Sequence, residues 1–147
     1  MRDELGNLPT ILVVEDNERD IELLRDRFQE ARLMNPLRLV RDGVGATEYL
    51  DGSGLYRDRK SYPLPGIVVL DLMLPKMDGF EVLAWIRARK QFNPIPILVL
   101  TAHNEDPMIQ RATKEGADGY LVKEEGIEGL IYLLKNEFMG WALVPTR

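Results

Sequence analysis

Short apolar runs alternate with longer amphipathic stretches, and the alternation repeats five times along the chain. Ile11-Leu-Val-Val14 is four apolar residues rich in β-branched types. It is too short for a helix and predicts a strand buried on both faces. Ile21, Leu24, Phe28 and Ala31 then recur at helical spacing, with Asp16 or Asn17 able to cap the start of that helix. Leu37–Val40 is a second, weaker strand, and the Asp42-Gly43 turn leads into a short helix over 44–50. Ile67–Leu70 is a third strand. Asp78 comes next as an N-cap with Glu81 three residues on, opening a helix through Val82, Leu83 and Ile86. The fourth strand covers 95–100, with Pro96 at its start, where a missing N–H is tolerable. Asp106-Pro107 opens a helix with Pro at its first position, and Gly116 closes it. Residues 120–122 form the fifth strand. Ile127, Leu130, Ile131, Leu134 and Phe138 mark the last helix.

Five strand–helix units with strands apolar on both faces predict an α/β fold, a parallel sheet with helices on both sides. One segment breaks the rhythm. Residues 52–66 show no period, whereas a loop between helix and strand is typically ~2–6 residues. This long loop is read as an insertion with a task or a short extra helical turn.

Composition narrows the function. The 147 residues fit one domain, flanked by an N-terminal extension over 1–9 and an apolar C-terminal tail over 139–147. There is no Cys, which excludes disulfides and thiolate chemistry, and the one His excludes a multi-His metal cage. No apolar run reaches the ~18 residues a membrane helix needs, and the acidic N-terminus is no secretory signal. A cytoplasmic protein is expected. The net charge of -5 and the scattered Lys and Arg speak against nucleic-acid binding.

The residues at the carboxyl end of each strand carry the chemistry. The first strand ends in Glu15-Asp16, the third in Asp71, the fourth in Thr101-Ala102 and the fifth in Lys123. In an open α/β sheet, ligands bind outside the carboxyl ends of the strands. Three carboxylates so close would raise one another's pKa, and a hard divalent cation removes that penalty. Oxygen ligands with few protein contacts suit Mg²⁺. Lys123 and Thr101 can meet further oxygens of a phosphoryl group, and Asp71, from a central strand, is the best acceptor for an aspartyl phosphate. Taken singly each residue has an ordinary reading: a helix-start acid, a turn, a surface lysine. Met73, Met77 and Phe80 read as packing, and Asp78-Gly79 reads as a turn.

The chain resembles the receiver domain of bacterial two-component response regulators. The segments that carry the resemblance are Ile11-Leu-Val-Val-Glu-Asp-Asn17, the stretch 69–80, Val99-Leu-Thr-Ala102 and the stretch 116–123. It implies a flavodoxin-like, doubly wound five-stranded sheet of order 2-1-3-4-5 flanked by five helices. By resemblance Asp71 is the phosphoacceptor. Mg²⁺ is held by Asp16, Asp71 and the backbone carbonyl of Met73, with Glu15 acting through water. Thr101, Ala102 and Lys123 bind the phosphoryl group, and Thr101 and Tyr120 form a switch that shifts the surface of the fourth helix, fifth strand and fifth helix.

With nine residues after Phe138, a stand-alone receiver without an output domain is expected. By resemblance its phosphoryl donor is a sensor histidine kinase or a phosphotransfer protein. The long loop and apolar tail resemble the small receivers that partner bacteriophytochromes. Such a protein is not an enzyme beyond its own phosphorylation and slow autodephosphorylation. Three residues depart from the family pattern. Glu124 stands where a Pro in a cis peptide is usual, Met73 replaces a polar residue, and His103 sits two positions after Thr101. Met73 and His103 are expected to tune dephosphorylation, with Met73 a weak hydrogen-bonding partner for an attacking water. A homodimer, or a docked partner, is expected at the last helix and tail, where apolar residues remain outside the face that meets the sheet. Alternatives are a degenerate receiver acting as an interaction module, a phosphatase of the aspartyl-phosphate type, and a flavin-binding protein. The phosphatase would want a second Asp where Met73 stands. In the flavin-binding protein, Glu15-Asp16 would repel the cofactor's phosphate.

Overall fold

Every strand of the central sheet except the two at its edges is buried along its whole length, because helices cover both of its faces. The computed structural model describes residues 8–123 and 125–136. The elements run β1 (Ile11–Val14), α1 (Glu18–Glu30), β2 (Leu37–Val40), α2 (Gly43–Asp51), β3 (Ile67–Leu70), α3 (Gly79–Arg87), β4 (Ile97–Thr101), α4 (Asp106–Lys114), β5 (Gly119–Val122) and α5 (Glu125–Asn136). The strands are parallel in the order β2-β1-β3-β4-β5, as expected.

Successive side chains of each strand point to opposite faces. Leu12, Val14, Val68, Leu70 and Val99 pack with Ala46, Tyr49, Leu50, Val82, Leu83 and Ile86 from α2 and α3. Ile11, Val13, Ile67, Val69, Leu98 and Leu100 pack with Leu24 and Phe28 of α1 and with Ile127, Leu130, Ile131 and Leu134 of α5. The apolar face expected for the last helix therefore meets the sheet, and Tyr132 faces outward, 62% exposed. Phe138 and the tail 139–147 lie outside the described residues, as does most of the N-terminal extension. No described helix is long and apolar enough to cross a membrane.

Caps set the helix starts. Asn17 rather than Asp16 caps α1, its side chain accepting from the Asp20 N–H at 3.1 Å. Asp78 and Glu81 form the expected capping box of α3. Several boundaries differ from expectation: α2 covers Gly43–Asp51 rather than 44–50, and β5 starts at Gly119 rather than 120. Strand β4 covers Ile97–Thr101 rather than 95–100. Pro96 has no N–H to pair and only its carbonyl joins the sheet, accepting from Val68, while Ile95 closes a turn onto Phe92. In α4 the N-cap is Glu105, so Pro107 occupies the second helical position rather than the first.

The long loop over 52–66 is a clasp under the sheet. It contains one 3₁₀ turn, Gly54–Tyr56. Tyr56 and Tyr62 close on Tyr49 of α2, with ring centroids 5.0 and 6.0 Å away. Tyr49 donates its hydroxyl to the Pro63 carbonyl at 2.9 Å. Arg59 donates to the carbonyls of Tyr49, Leu50 and Tyr62, and so satisfies the open end of α2.

Candidate functional site

Sheet register gathers the chemistry at one end. Val14 pairs with Leu70, which places the next residues, Glu15 and Asp71, side by side. The Asp71 N–H donates to the Val14 carbonyl and the Glu15 N–H to the Val40 carbonyl, extending the ladder one step beyond the assigned strands. Thr101 ends β4 opposite Val122, and the Lys123 N–H donates to the Thr101 carbonyl at 2.7 Å. Residues from four strands thus meet, as their sequence positions suggested.

One ammonium stands among several carboxylates. Lys123 Nζ lies 2.7 Å from Glu15 Oε1, 2.7 Å from Asp20 Oδ2 and 3.0 Å from Asp71 Oδ2. Glu15 and Asp71 are each only 5% exposed. Carboxylate oxygens of Glu15, Asp16 and Asp71 all come within 4.8 Å of one another, with Asp16 on the exposed side. The cost shows in Glu15. Burial, and then the charge of Asp71, push its carboxyl up to about 7, although hydrogen bonds from Lys123 and the Asn17 N–H oppose the shift. Burial lowers the basicity of Lys123, yet its bonds to Asp20, Glu15 and Asp71 outweigh this and raise it above the ordinary lysine range. The donor set fits a hard divalent cation: three carboxylates, all oxygen, one of them open to solvent and one, Glu15, raised to about 7 chiefly by burial.

Asp71 Oδ1 accepts from the Met73 N–H at 3.1 Å, which turns Oδ2 toward Lys123. The Thr101 hydroxyl is fully buried and finds no hydrogen-bond partner among the described residues. Such a group ordinarily costs about 1–3 kcal/mol. Ala102 follows at the exposed rim. Met73, two positions after Asp71, is 57% exposed. His103 is half-buried with Nδ1 3.6 Å from Glu105. The half-buried Tyr120 donates its hydroxyl to the His103 carbonyl at 2.7 Å.

A match to the family described as the response regulator receiver domain covers residues 11–135. The chain belongs to that family. Among similar proteins is the response regulator Rcp1 of Synechocystis sp. strain PCC 6803, 34% identical over 99% of this chain and 97% of its own length. A structure of Rcp1 in its Mn²⁺-bound form superposes with a TM-score of 0.75 at 30% identity, covering 91% of this chain and 94% of that one. The bacteriophytochrome response regulator AtBRR gives 0.78 at 34% identity over 94% and 98% of the two chains. The phosphorylated cyanobacterial phytochrome response regulator RcpA gives 0.78 at 29% identity over 94% and 99%.

Two residues that shape this receiver's site escaped the sequence reading. Asp20 is one turn of helix beyond Asp16, and an acid in a first turn looks like an ordinary dipole partner. Gly79 looked like half of a turn. A Cβ there would stand 2.4 Å from both the Asp71 carbonyl oxygen and the Leu72 Cα. The α3 N-terminus can therefore close on the loop that follows β3 only through glycine. Met77 and Phe80 pack on the core as expected. The Lys123–Glu124 peptide, where a cis bond was in question, lies outside the described residues.

Proposed function

We propose that this receiver accepts a phosphoryl group on Asp71 from the phosphohistidine of a sensor histidine kinase or a phosphotransfer protein. The observation that carries the reading is Asp71 itself. Its carboxylate is buried at the end of a central strand, and one oxygen is held by a backbone N–H while the other faces Lys123. In the transfer the P–N bond to the donor imidazole breaks and a P–O bond to Asp71 Oδ2 forms. Asp16, Asp71 and the Met73 carbonyl would hold Mg²⁺, with Glu15 acting through water. When bound, that ion neutralises charge on the phosphoryl oxygens. Lys123 donates to one phosphoryl oxygen. Thr101, with Ala102 beside it, supplies another contact, and the buried Thr101 hydroxyl then gains a partner that it does not have among the described residues.

Movement of Thr101 toward the phosphoryl group makes room for the Tyr120 ring. Tyr120 would give up its bond to the His103 carbonyl and turn inward. This changes the α4–β5–α5 surface, through which the signal passes to a partner or a second copy. Association as a homodimer is read from the apolar sequence of the last helix and tail, with Tyr132 of α5 facing outward. The donor is read as a bacteriophytochrome, on the strength of the phytochrome response regulators among the relatives. Met73 and His103 set a slow loss of phosphate.

Incubation with acetyl phosphate and Mg²⁺, followed by intact mass, tests the reading. A gain of one phosphoryl group that Asp71→Asn abolishes is expected. An unmodified protein would make the chain a phosphorylation-independent interaction module.

A further inference from the structure

Lys123 uses three carboxylates, and only two of them belong to the cluster that could share a cation. An ammonium has three N–H donors and no acceptor. Glu15, Asp20 and Asp71 occupy all three. Glu15 and Asp71 also lie within reach of Asp16 to form the acidic cluster, and Asp20 does not belong to it. Asp20 is fixed independently of the cluster. It sits in the first turn of α1, its N–H bonded to the capping Asn17 side chain, and the positive end of the helix favours its charge. Its side chain is 32% exposed, whereas that of Lys123 is 12% exposed.

We propose that Asp20 is a positioning residue for phosphoryl transfer, which tethers the Lys123 ammonium while the cation and the phosphoryl group draw on Glu15 and Asp71. The inference rests on the receiver reading above. A cation among the three clustered carboxylates competes with Lys123 for two of its partners and repels its charge. Phosphorylation turns the Asp71 oxygen facing Lys123 into the bridging oxygen of an acyl phosphate, a poorer acceptor than a carboxylate oxygen. With those two bonds weakened, a lysine's flexible four-carbon stem would let the ammonium turn to solvent. The bond to Asp20 is the one that neither event consumes. It leaves Lys123 a short swing from Asp71 Oδ2 to a phosphoryl oxygen, with one donor still anchored.

The test is the affinity for beryllofluoride, a mimic of the phosphoryl group, at saturating Mg²⁺. It compares the full chain with its Asp20→Asn and Asp20→Glu variants. Asp20→Asn should weaken beryllofluoride binding about fivefold, and Asp20→Glu should restore most of it. NMR of the Lys123 Nζ–H signals in the loaded protein should show them sharp in the unsubstituted chain and broadened in Asp20→Asn. Equal or tighter binding by Asp20→Asn, or Nζ–H signals indifferent to that change, would overturn the tether. If the unsubstituted chain itself bound no beryllofluoride, the receiver reading beneath it would fall as well.

Discussion

The two ends of the same sheet handle buried charge in opposite ways. At the end where the strands begin, cations meet mostly neutral carbonyls. Arg87 donates to the carbonyls of Gly116, Asn93 and Ile95 and to the Asp118 carboxylate, all between 2.8 and 3.0 Å. Asp118 in turn accepts from the Ile97 N–H. Arg59 caps the end of α2 in a similar way. At the end where the strands finish, carboxylates outnumber the ammonium that serves them, and a buried hydroxyl goes without a partner among the described residues. The first arrangement closes loops onto the core. The second is an unfavourable arrangement that a cation and a phosphoryl group would relieve. The difference teaches where this fold spends stability on function.

The sharpest way to break the comparison is to remove one cation at each end. Lys123→Met leaves Glu15 and Asp71 buried without their counter-charge, and should cost about 3–5 kcal/mol at pH 8. The cost should shrink at pH 5, where a buried carboxyl so exposed to its neighbours takes up a proton. Arg87→Met should cost about 2 kcal/mol, nearly the same at both pH values, because Asp118 keeps the Ile97 N–H. Urea unfolding of the two variants at both pH values measures this. A pH-independent cost for Lys123→Met would remove the distinction between the ends.

Gly79→Ala comes next. The added Cβ meets backbone, which cannot step aside, so the change should destabilise by about 2–3 kcal/mol and slow phosphorylation by acetyl phosphate. Denaturant midpoints and intact-mass time courses read the two effects separately.

Glu15 gives a smaller, signed effect. Burial first, then the charge of Asp71, raise its carboxyl from 4.5 to about 7 in the folded chain. Between those values the folded chain holds a proton that the unfolded chain has released. Stability therefore falls as pH rises from about 4.5 to about 7 and stays lower above that window. Glu15→Gln should flatten this slope and gain roughly 1–3 kcal/mol at pH 8. Unfolding curves in the absence of divalent cations, taken across that window, check it. A steeper slope in the Gln variant would contradict the assignment.

The smallest effect concerns lifetime. Met73→Asn adds a polar side chain two positions after Asp71, at a mostly exposed position. It should speed loss of the phosphoryl group by about threefold to tenfold through better orientation of water. Decay of the phosphorylated mass gives the rate, and an unchanged or slower decay would show that Met73 is no brake.

Much of this molecule is legible in its sequence because the signals are periodic or local. Runs such as Ile11–Val14 and Ile67–Leu70 are apolar throughout, since both sheet faces are covered. The capping box at Asp78 and Glu81 is a two-residue pattern. The convergence of Glu15, Asp71, Thr101 and Lys123 comes from their places at strand ends. The illegible part depends on geometry across the fold. Pro96 moved the start of β4 because half of its pairing capacity is missing. Asp20 joined the site through a bond spanning 103 residues, which no local pattern announces. The 52–66 loop has no period, since its order comes from three tyrosines and one arginine meeting in space.

The thermal unfolding temperature with Mg²⁺ and beryllofluoride together tests the central claim most directly. If the acidic end is unfavourable until a cation and a phosphoryl group occupy it around Asp71, the pair should raise the midpoint by several degrees, roughly 2–8 °C. The same pair should leave Asp71→Asn within a degree of its unliganded value. No rise in the unsubstituted chain, or an equal rise in Asp71→Asn, would contradict the account.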